Sequence, residues 1–451
     1  MNEKTAASQG PIRDARTLGV PKMLVLGLQH MFAMFGATVL VPILVQSYGL
    51  PLSIQTTLFF AGFGTLFFHV CTRLKVPAFL GSSFAFLGGF QAMAEMDAGI
   101  YATMEASEKL QYTCGGIVVA GLLYVLLALI IKAVGVHRVM HYLPPVVTGP
   151  IIILIGLNLA PSAVSNASTC WWLALVAMAI IIVANIWGKG MIKIIPILLG
   201  VVGSYVVALI AGQVDFTGLA DSGWVGLQPF FTDFGGSVAK FDISAILVMA
   251  PIAIASMMEH IGDMSAISAT VGENFIEDPG LHRTLIGDGV ATSLAGLFGG
   301  PANTTYGENT GVLVLSRVHD PRVIRLAAIY AVILSFSPKF AAFVNSIPAA
   351  IIGGVSFILY GMISAIGVRN VVENQVDFTN SRNLIIAAVI LVCGLGFTDG
   401  LTFHVGSASI TLTSLAIAAI AGIALNAILP GNDFHFGKSA TSDTAASLGR
   451  Y

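Results

Sequence analysis

Two carboxylates, Glu259 and Asp263, stand four residues apart in the apolar run around "MEHIGDMSAIS", so on a helix they share one face. Two acids so close in an apolar place do not both ionise easily, and one proton shared between them is the expected state. His30 in "LQHMFAMFGATVLVP" and His260, directly after Glu259, add imidazoles that can donate, accept or titrate. Asp288 in "IGDGVATSLAG" is a further acid inside an apolar stretch, and Glu308 lies within "NTTYGENTG", Asn303 to Gly311. An ionisable group at the centre of a membrane helix costs about 2.5 to 3.5 kcal/mol on insertion scales, so each of these groups is a functional candidate. Asp263 and Asp288 have a second reading, in which they hydrogen-bond a broken backbone or hold other side chains in place.

The elements that must position these groups follow from composition. The chain has 451 residues, 56% hydrophobic and 10% charged, with a mean hydropathy of +0.87. An ordinary soluble domain carries about 25% charged residues. This is the composition of an integral membrane protein with no room for a sizeable soluble domain. A net charge of -2 gives no reason to expect a nucleic-acid partner. Cys71, Cys114, Cys170 and Cys393 lie in or beside apolar runs without metal-ligand spacing, so they read as reduced packing residues, and no metal or cofactor is expected. With no nucleophile–base pair either, an enzyme is not expected. The first twenty residues carry charge and no apolar core, so the first span is expected to act as the insertion signal in place of a cleaved peptide.

Apolar runs place spans near residues 22–46, 53–72, 77–95, 111–134, 142–160, 168–187 and 194–212. A second set follows near 243–265, 281–299, 301–317, 322–344, 347–366, 383–398 and 407–429. With both termini in the cytoplasm, 18 of the 21 Lys and Arg residues fall on the cytoplasmic side, and only Lys109, Lys240 and Lys339 fall outside. Fourteen spans are therefore expected, as 1–20 N-terminal segment, 21–213 first repeat, 214–241 extracellular connector, 242–429 second repeat and 430–451 cytoplasmic tail. Asp399 and His404 fall in an expected outer loop.

Seven spans per half put the second half into the membrane upside down relative to the first. Gln29-His30 faces Glu259-His260 in the two opening spans; "PAFLGSSFAF" from Pro77 and "PANTTYGENT" from Pro301 share a Pro-Ala start at an offset of 224. Spans 3 and 10 are interrupted by Pro, Gly and hydroxyl residues, and non-helical backbone at membrane depth persists only where it is buried or lines a polar cavity. Broken spans at equivalent places in two halves point to a transport site near the midplane. A polar hairpin at the membrane surface is the alternative for "NTTYGENTG". Carboxylates and free backbone amides, with no basic residue at mid-membrane, match a neutral ring offering N–H donors beside C=O acceptors. Phe84 and Tyr306, aromatics beside the two breaks, suit a flat ligand or plain packing.

At these residues the chain resembles the nucleobase/ascorbate transporter (nucleobase:cation symporter-2) family, and within it the bacterial uracil permeases, over almost all of residues 20–430. The elements that carry the likeness are "GLQHMFAMFGATVLVP", "VPAFLGSSFAF", "MEHIGD", "DPGLHR" and "GPANTTYGENTGVLVLSR". The last contains the family signature of an acidic or amide residue, Asn, any residue, Gly, four residues, a hydroxyl and a basic residue, here Glu308-Asn309 through Arg317. The resemblance implies an all-α polytopic fold in a 7+7 inverted repeat, with a core domain of spans 1–4 and 8–11 and a gate domain of spans 5–7 and 12–14. Spans 3 and 10 would open with short antiparallel strands that pair. Glu259 and Glu308 would bind ring N–H and amide groups, backbone near Phe84 and Gly307 would meet ring carbonyls, Phe84 and Tyr306 would pack on the base, and Tyr360 would close from the gate. Asp263, His30, Asp288 and Asn309 would serve proton coupling or support the ring contacts.

One departure is Asp263, where uracil permeases often carry a second His and purine or xanthine carriers an Asp; those carriers usually have Gln where Glu308 stands. The expected function is a proton-coupled symporter importing uracil across the plasma (inner) membrane. A xanthine or purine symporter is the nearest alternative, and a passive channel or anion exchanger of the same architecture a more distant one. The expected partners are uracil or a related nucleobase, protons and the lipid bilayer, with a homodimer left open.

Overall fold

The computed structural model describes residues 11–97, 99–216, 218–232, 239–398, 400–405 and 408–431. Residues 1–10, most of the tail expected from residue 430, and the loop residue Asp399 lie outside that range, as do the cations Lys4, Lys438 and Arg450.

The first half runs through helices α1 (Val20–Ser47) and α2 (Ile54–Cys71), strand β1 (Leu80–Ser82), and helices α3 (Leu87–Glu95), α4 (Ala106–Val134), α5 (Pro145–Asn158), α6 (Trp171–Ile186) and α7 (Pro196–Ile210). In the second half come α8 (Ile252–Val271), α9 (Leu281–Leu297), β2 (Asn303–Thr305), α10 (Gly307–Ser316), α11 (Pro321–Ser335), α12 (Ala349–Glu373) and α13 (Ser381–Gly396). A hairpin of β3 (Leu401–Val405) and β4 (Ala408–Leu412) then leads into α14 (Ser414–Ile428). The protein is a mostly helical, multi-pass integral membrane protein.

Local sequence sets the helix boundaries. Ser53, Asp320 and Thr413 occupy N-cap positions, and their side chains accept backbone N–H groups of the first turn of α2, α11 and α14. Pro21, Pro145, Pro196 and Pro321 stand within the first two positions of their helices, where a missing N–H leaves no bond unmade. Spans 3 and 10 contain so little continuous helix because "PAFLGSS" and "PANTT" put Pro, Gly and hydroxyl residues where a helix would begin.

Among the described residues six helices are long and apolar enough to cross a membrane alone, or seven if α11 and the helix Pro338–Asn345, bent 89° from it, count as one span. Helices α6, α7, α13 and α14 are apolar but shorter. Two expectations are corrected. The segment 407–429 is not helical from its start, since β4 precedes α14, and His404 lies in strand β3 of a hairpin where a loop was expected. The all-α description is amended accordingly. "LTFHV" and "ASITL" alternate apolar with polar residues, Leu401, Phe403 and Val405 in the first and Ala408, Ile410 and Leu412 in the second, the pattern of strands.

Packing pairs the helices in a pattern that repeats when each helix of one half is exchanged for the helix seven places on. Helix α4 packs on α9 as α2 packs on α11, α6 on α7 as α13 on α14, and α5 on α13 as α6 on α12. Close approach at α4–α9 rests on glycine: a Cβ at Gly121 would stand 2.4 Å from the carbonyl oxygen of Gly289.

Candidate functional site

Strands β1 and β2 pair antiparallel, with Leu80 opposite Thr305, Gly81 opposite Thr304 and Ser82 opposite Asn303. Each strand runs directly into a helical turn, Phe84–Phe86 ahead of α3 and Gly307 onward in α10. The residues at the two N-cap positions, Ser83 and Tyr306, make no side-chain capping bond, so no cap side chain occupies the first-turn N–H groups, which carry the positive end of each helix.

Around this ribbon lies a cavity. Glu259 and Asp263 of α8 form one wall, Thr304 to Glu308 and Phe84 a second, and Ile152 of α5 with Ile363 and Ile366 of α12 the third. The carboxylates are thus brought together with the broken spans. Oδ2 of Asp263 accepts a 2.8 Å hydrogen bond from Thr305 Oγ1, tying α8 to β2. Oε2 of Glu259 is buried with no hydrogen-bond partner among the described residues. Glu308 stands in the first turn of α10, where a carboxylate is favoured by the helix dipole. Among the described residues no Lys or Arg lines the cavity.

Of the remaining expected residues Tyr306 also lines the cavity, whereas Tyr360, His30, Asp288 and Asn309 do not. Tyr306 has its ring against Gly81, where a Cβ would come within 2.3 Å, and its hydroxyl donates to the carbonyl of Ser82 at 2.8 Å, so the phenol end is engaged by the ribbon. Tyr360, on α12, meets Phe84 edge-on at a centroid distance of 5.9 Å. His260 Nδ1 lies 2.8 Å from Asp288 Oδ2 and its Nε2 3.0 Å from Thr284 Oγ1, all fully buried. Asn309 donates to the carbonyl of His30 at 3.0 Å. Asp288 with His260 and Thr284, and Asn309 with His30, therefore form two buried polar clusters.

Sequence reasoning had not singled out Thr304, Thr305, Ile152, Ile363 or Ile366. The two threonines sit inside the quoted polar stretch, so their neighbourhood was marked though their roles were not. Nothing distinguishes the three isoleucines in sequence from residues that face lipid.

Residues 21–403 match the family model Xan_ur_permease, described as "Permease family". The chain belongs to the nucleobase/ascorbate transporter family. Within that family the chain is 42% identical over 429 residues to the uracil permease of Bacillus caldolyticus, covering 93% of this chain and 94% of that protein. To the uracil permease of Escherichia coli (strain K12) it is 36% identical over 414 residues, covering 89% and 90%. Solved structures share the fold: the transmembrane domain of a cyanobacterium bicarbonate transporter, BicA, at TM-score 0.57 and 15% identity, covering 92% of this chain and 99% of that one, and SLC26A9 at TM-score 0.62 and 12% identity, covering 90% and 64%. A member of this permease family is a transporter and not an enzyme.

Proposed function

We propose that the protein is a proton-coupled symporter that imports uracil. The observation that carries this reading is the meeting, in one cavity, of two glutamates with two uncapped helix starts: Glu259 and Glu308 beside Phe84 and Gly307. Carboxylates accept ring N–H groups, backbone N–H groups donate to ring carbonyls, and Phe84 with the three isoleucines gives a flat apolar surface. A uracil ring offers N–H and C=O groups in that alternation. Similarity to proteins named uracil permeases across most of the chain supports the same substrate.

The coupling proton is taken up at the Glu259–Asp263 pair from outside and released inside. The fold is read as fourteen spans in a 7+7 inverted repeat, 21–213 and 242–429, with connector 214–241 outside and both termini in the cytoplasm. The exchange symmetry of the packing supports the repeat. A core of α1–α4 and α8–α11 carries the ribbon and both glutamates, and a gate of α5–α7 and α12–α14 supplies Ile152, Tyr360 and Ile363. Movement of one against the other exposes the cavity to each side in turn, and Tyr360 closes on Phe84. Asp263 favours a purine as second reading, because purine carriers of the resembling family often hold an Asp there. That no Lys or Arg among the described residues lines the cavity argues against an anion path.

Membrane vesicles with an inward proton gradient test this reading. Labelled uracil should accumulate above equilibrium, and a protonophore should abolish the excess; accumulation that survives the protonophore, or competition by xanthine stronger than by unlabelled uracil, would overturn it.

A further inference from the structure

A two-stranded ribbon has two outer edges, and at membrane depth an unpaired edge leaves N–H and C=O groups with no water to satisfy them. The first residue of each strand is met there by a single buried threonine hydroxyl. Oγ1 of Thr65, on α2, accepts the N–H of Leu80 at 2.8 Å, and its own proton faces the carbonyls of Ala61 at 2.7 Å and Leu80 at 3.2 Å. On α9, Oγ1 of Thr292 accepts the N–H of Asn303 at 3.1 Å and donates to the carbonyl of Asn303 at 3.0 Å. Both threonines are fully buried, and α2 and α9 are seven helices apart and packed on one another.

The two anchors are equivalent in register as well. Phe84 lies four residues beyond Leu80, and Gly307 four beyond Asn303, so each threonine fixes the strand that delivers one of the two helix starts to the cavity. Helix α2 also holds the second strand, through Asn303 Nδ2, which donates to the carbonyl of Phe60 at 3.2 Å. Neither threonine lines the cavity.

We propose that Thr65 and Thr292 are a matched pair of positioning residues, whose hydroxyls set the depth and angle of the ribbon and through it the ligand-facing backbone at Phe84 and Gly307. The inference rests on the reading of the cavity as the nucleobase site. Valine has nearly the shape of threonine but cannot accept the strand N–H, and a buried amide left without a partner drives the strand to rearrange. Serine keeps the hydroxyl.

The test uses the full-length protein with Thr65→Val, Thr292→Val and the corresponding Ser variants, read by amide hydrogen exchange and by equilibrium binding of labelled uracil. In each Val variant, exchange should rise in peptides covering residues 79–84 and 302–307 while the distant helices α6 and α13 keep theirs. Uracil affinity should fall roughly tenfold. Ser variants should restore both. Unchanged strand exchange in the Val variants, exchange rising equally in all helices, raised strand exchange with unaltered affinity, or Ser variants as impaired as Val would each overturn the proposal. A wild-type chain that bound no uracil would instead remove the substrate assignment, while the exchange results would still decide whether the threonines hold the ribbon.

Discussion

Thr305 Oγ1 donates a 2.8 Å hydrogen bond to Asp263 Oδ2, so the strand that lines the cavity is fastened to the helix that carries both acids of the α8 pair. Glu259, one turn earlier on that helix, has Oε2 buried without a partner among the described residues and faces the same cavity. The two acids thus differ in what holds them. In the proposed function Asp263 is held by the ribbon, and Glu259 is left for ligand and proton.

That division predicts different outcomes at the two positions. Asp263→Asn keeps an oxygen able to accept from Thr305 and removes the like-charged neighbour of Glu259, so uracil binding should persist while the pH profile of uptake changes. Glu259→Gln should abolish accumulation and weaken binding together. Uptake measured against external pH in both variants decides the matter: an Asp263→Asn profile superimposable on wild type would make Asp263 structural and move the coupling elsewhere.

Glu308→Gln preserves size but replaces one acceptor oxygen by an N–H₂ donor at the first turn of α10. Recognition of a ring N–H should drop by about 1 to 3 kcal/mol, read as a weaker dissociation constant for uracil in folded protein. Unaltered affinity would take Glu308 out of the binding site. Purine uptake gained by the same variant would show that this position selects between ring classes.

The most polar parts of the site were legible in the sequence because charge inside an apolar chain needs a reason. Glu259, Asp263 and Glu308 stand out on that ground, and the Pro-Ala openings of the broken spans by the Pro, Gly and hydroxyl residues that interrupt a helix there. The pairing of His260 with Asp288 was not readable, since the two are 28 residues apart on different helices and only packing brings them to 2.8 Å. Nor could the apolar wall be read: Ile152, Ile363 and Ile366 are isoleucines in helices rich in isoleucine, and whether one faces lipid, core or ligand depends on the rotation of its helix. The hairpin before α14 escaped for a related reason. A short apolar alternation next to a long apolar run merges with it.

At the N-terminal end, Ile12 pairs with the α10–α11 connection, and Ala15 N–H donates to Asp320 at 2.7 Å. Asp14 binds Arg16 through hydrogen bonds of 2.6 to 3.1 Å and Arg322 at 2.9 Å. Side-chain hydrogen bonds from Arg16 hold the Asp14 carboxyl down to about 2, from an ordinary 3.8. A carboxyl depressed on folding contributes stability above its unfolded value and loses it as pH falls through its folded value, so this contact should persist to about pH 3 and fail nearer 2. Hydrogen-exchange protection of residues 12–19, corrected for intrinsic rates, should be the same at about pH 7 and pH 4. Protection already lost at about pH 4 would show that Asp14 does not hold the segment.

Gly81 offers the sharpest steric test of the ribbon. It has to be glycine because Tyr306 lies across it: a Cβ would stand 2.3 Å from Cζ and 2.7 Å from the hydroxyl oxygen, and that hydroxyl is held by the Ser82 carbonyl. Gly81→Ala must therefore push the phenol away and free the Ser82 carbonyl, an overpacking that costs about 1 to 3 kcal/mol. The expected result is a lower Tm together with weaker uracil binding, because the displaced ring belongs to the residue immediately before Gly307. Tyr306→Ala removes the obstacle, so the same Gly81→Ala change made in that background should cost far less. A double-mutant cycle read by thermal unfolding and uracil affinity measures the difference. Equal penalties in the two backgrounds would mean that Tyr306 does not rest on Gly81, and that the ribbon is shaped by something other than this contact.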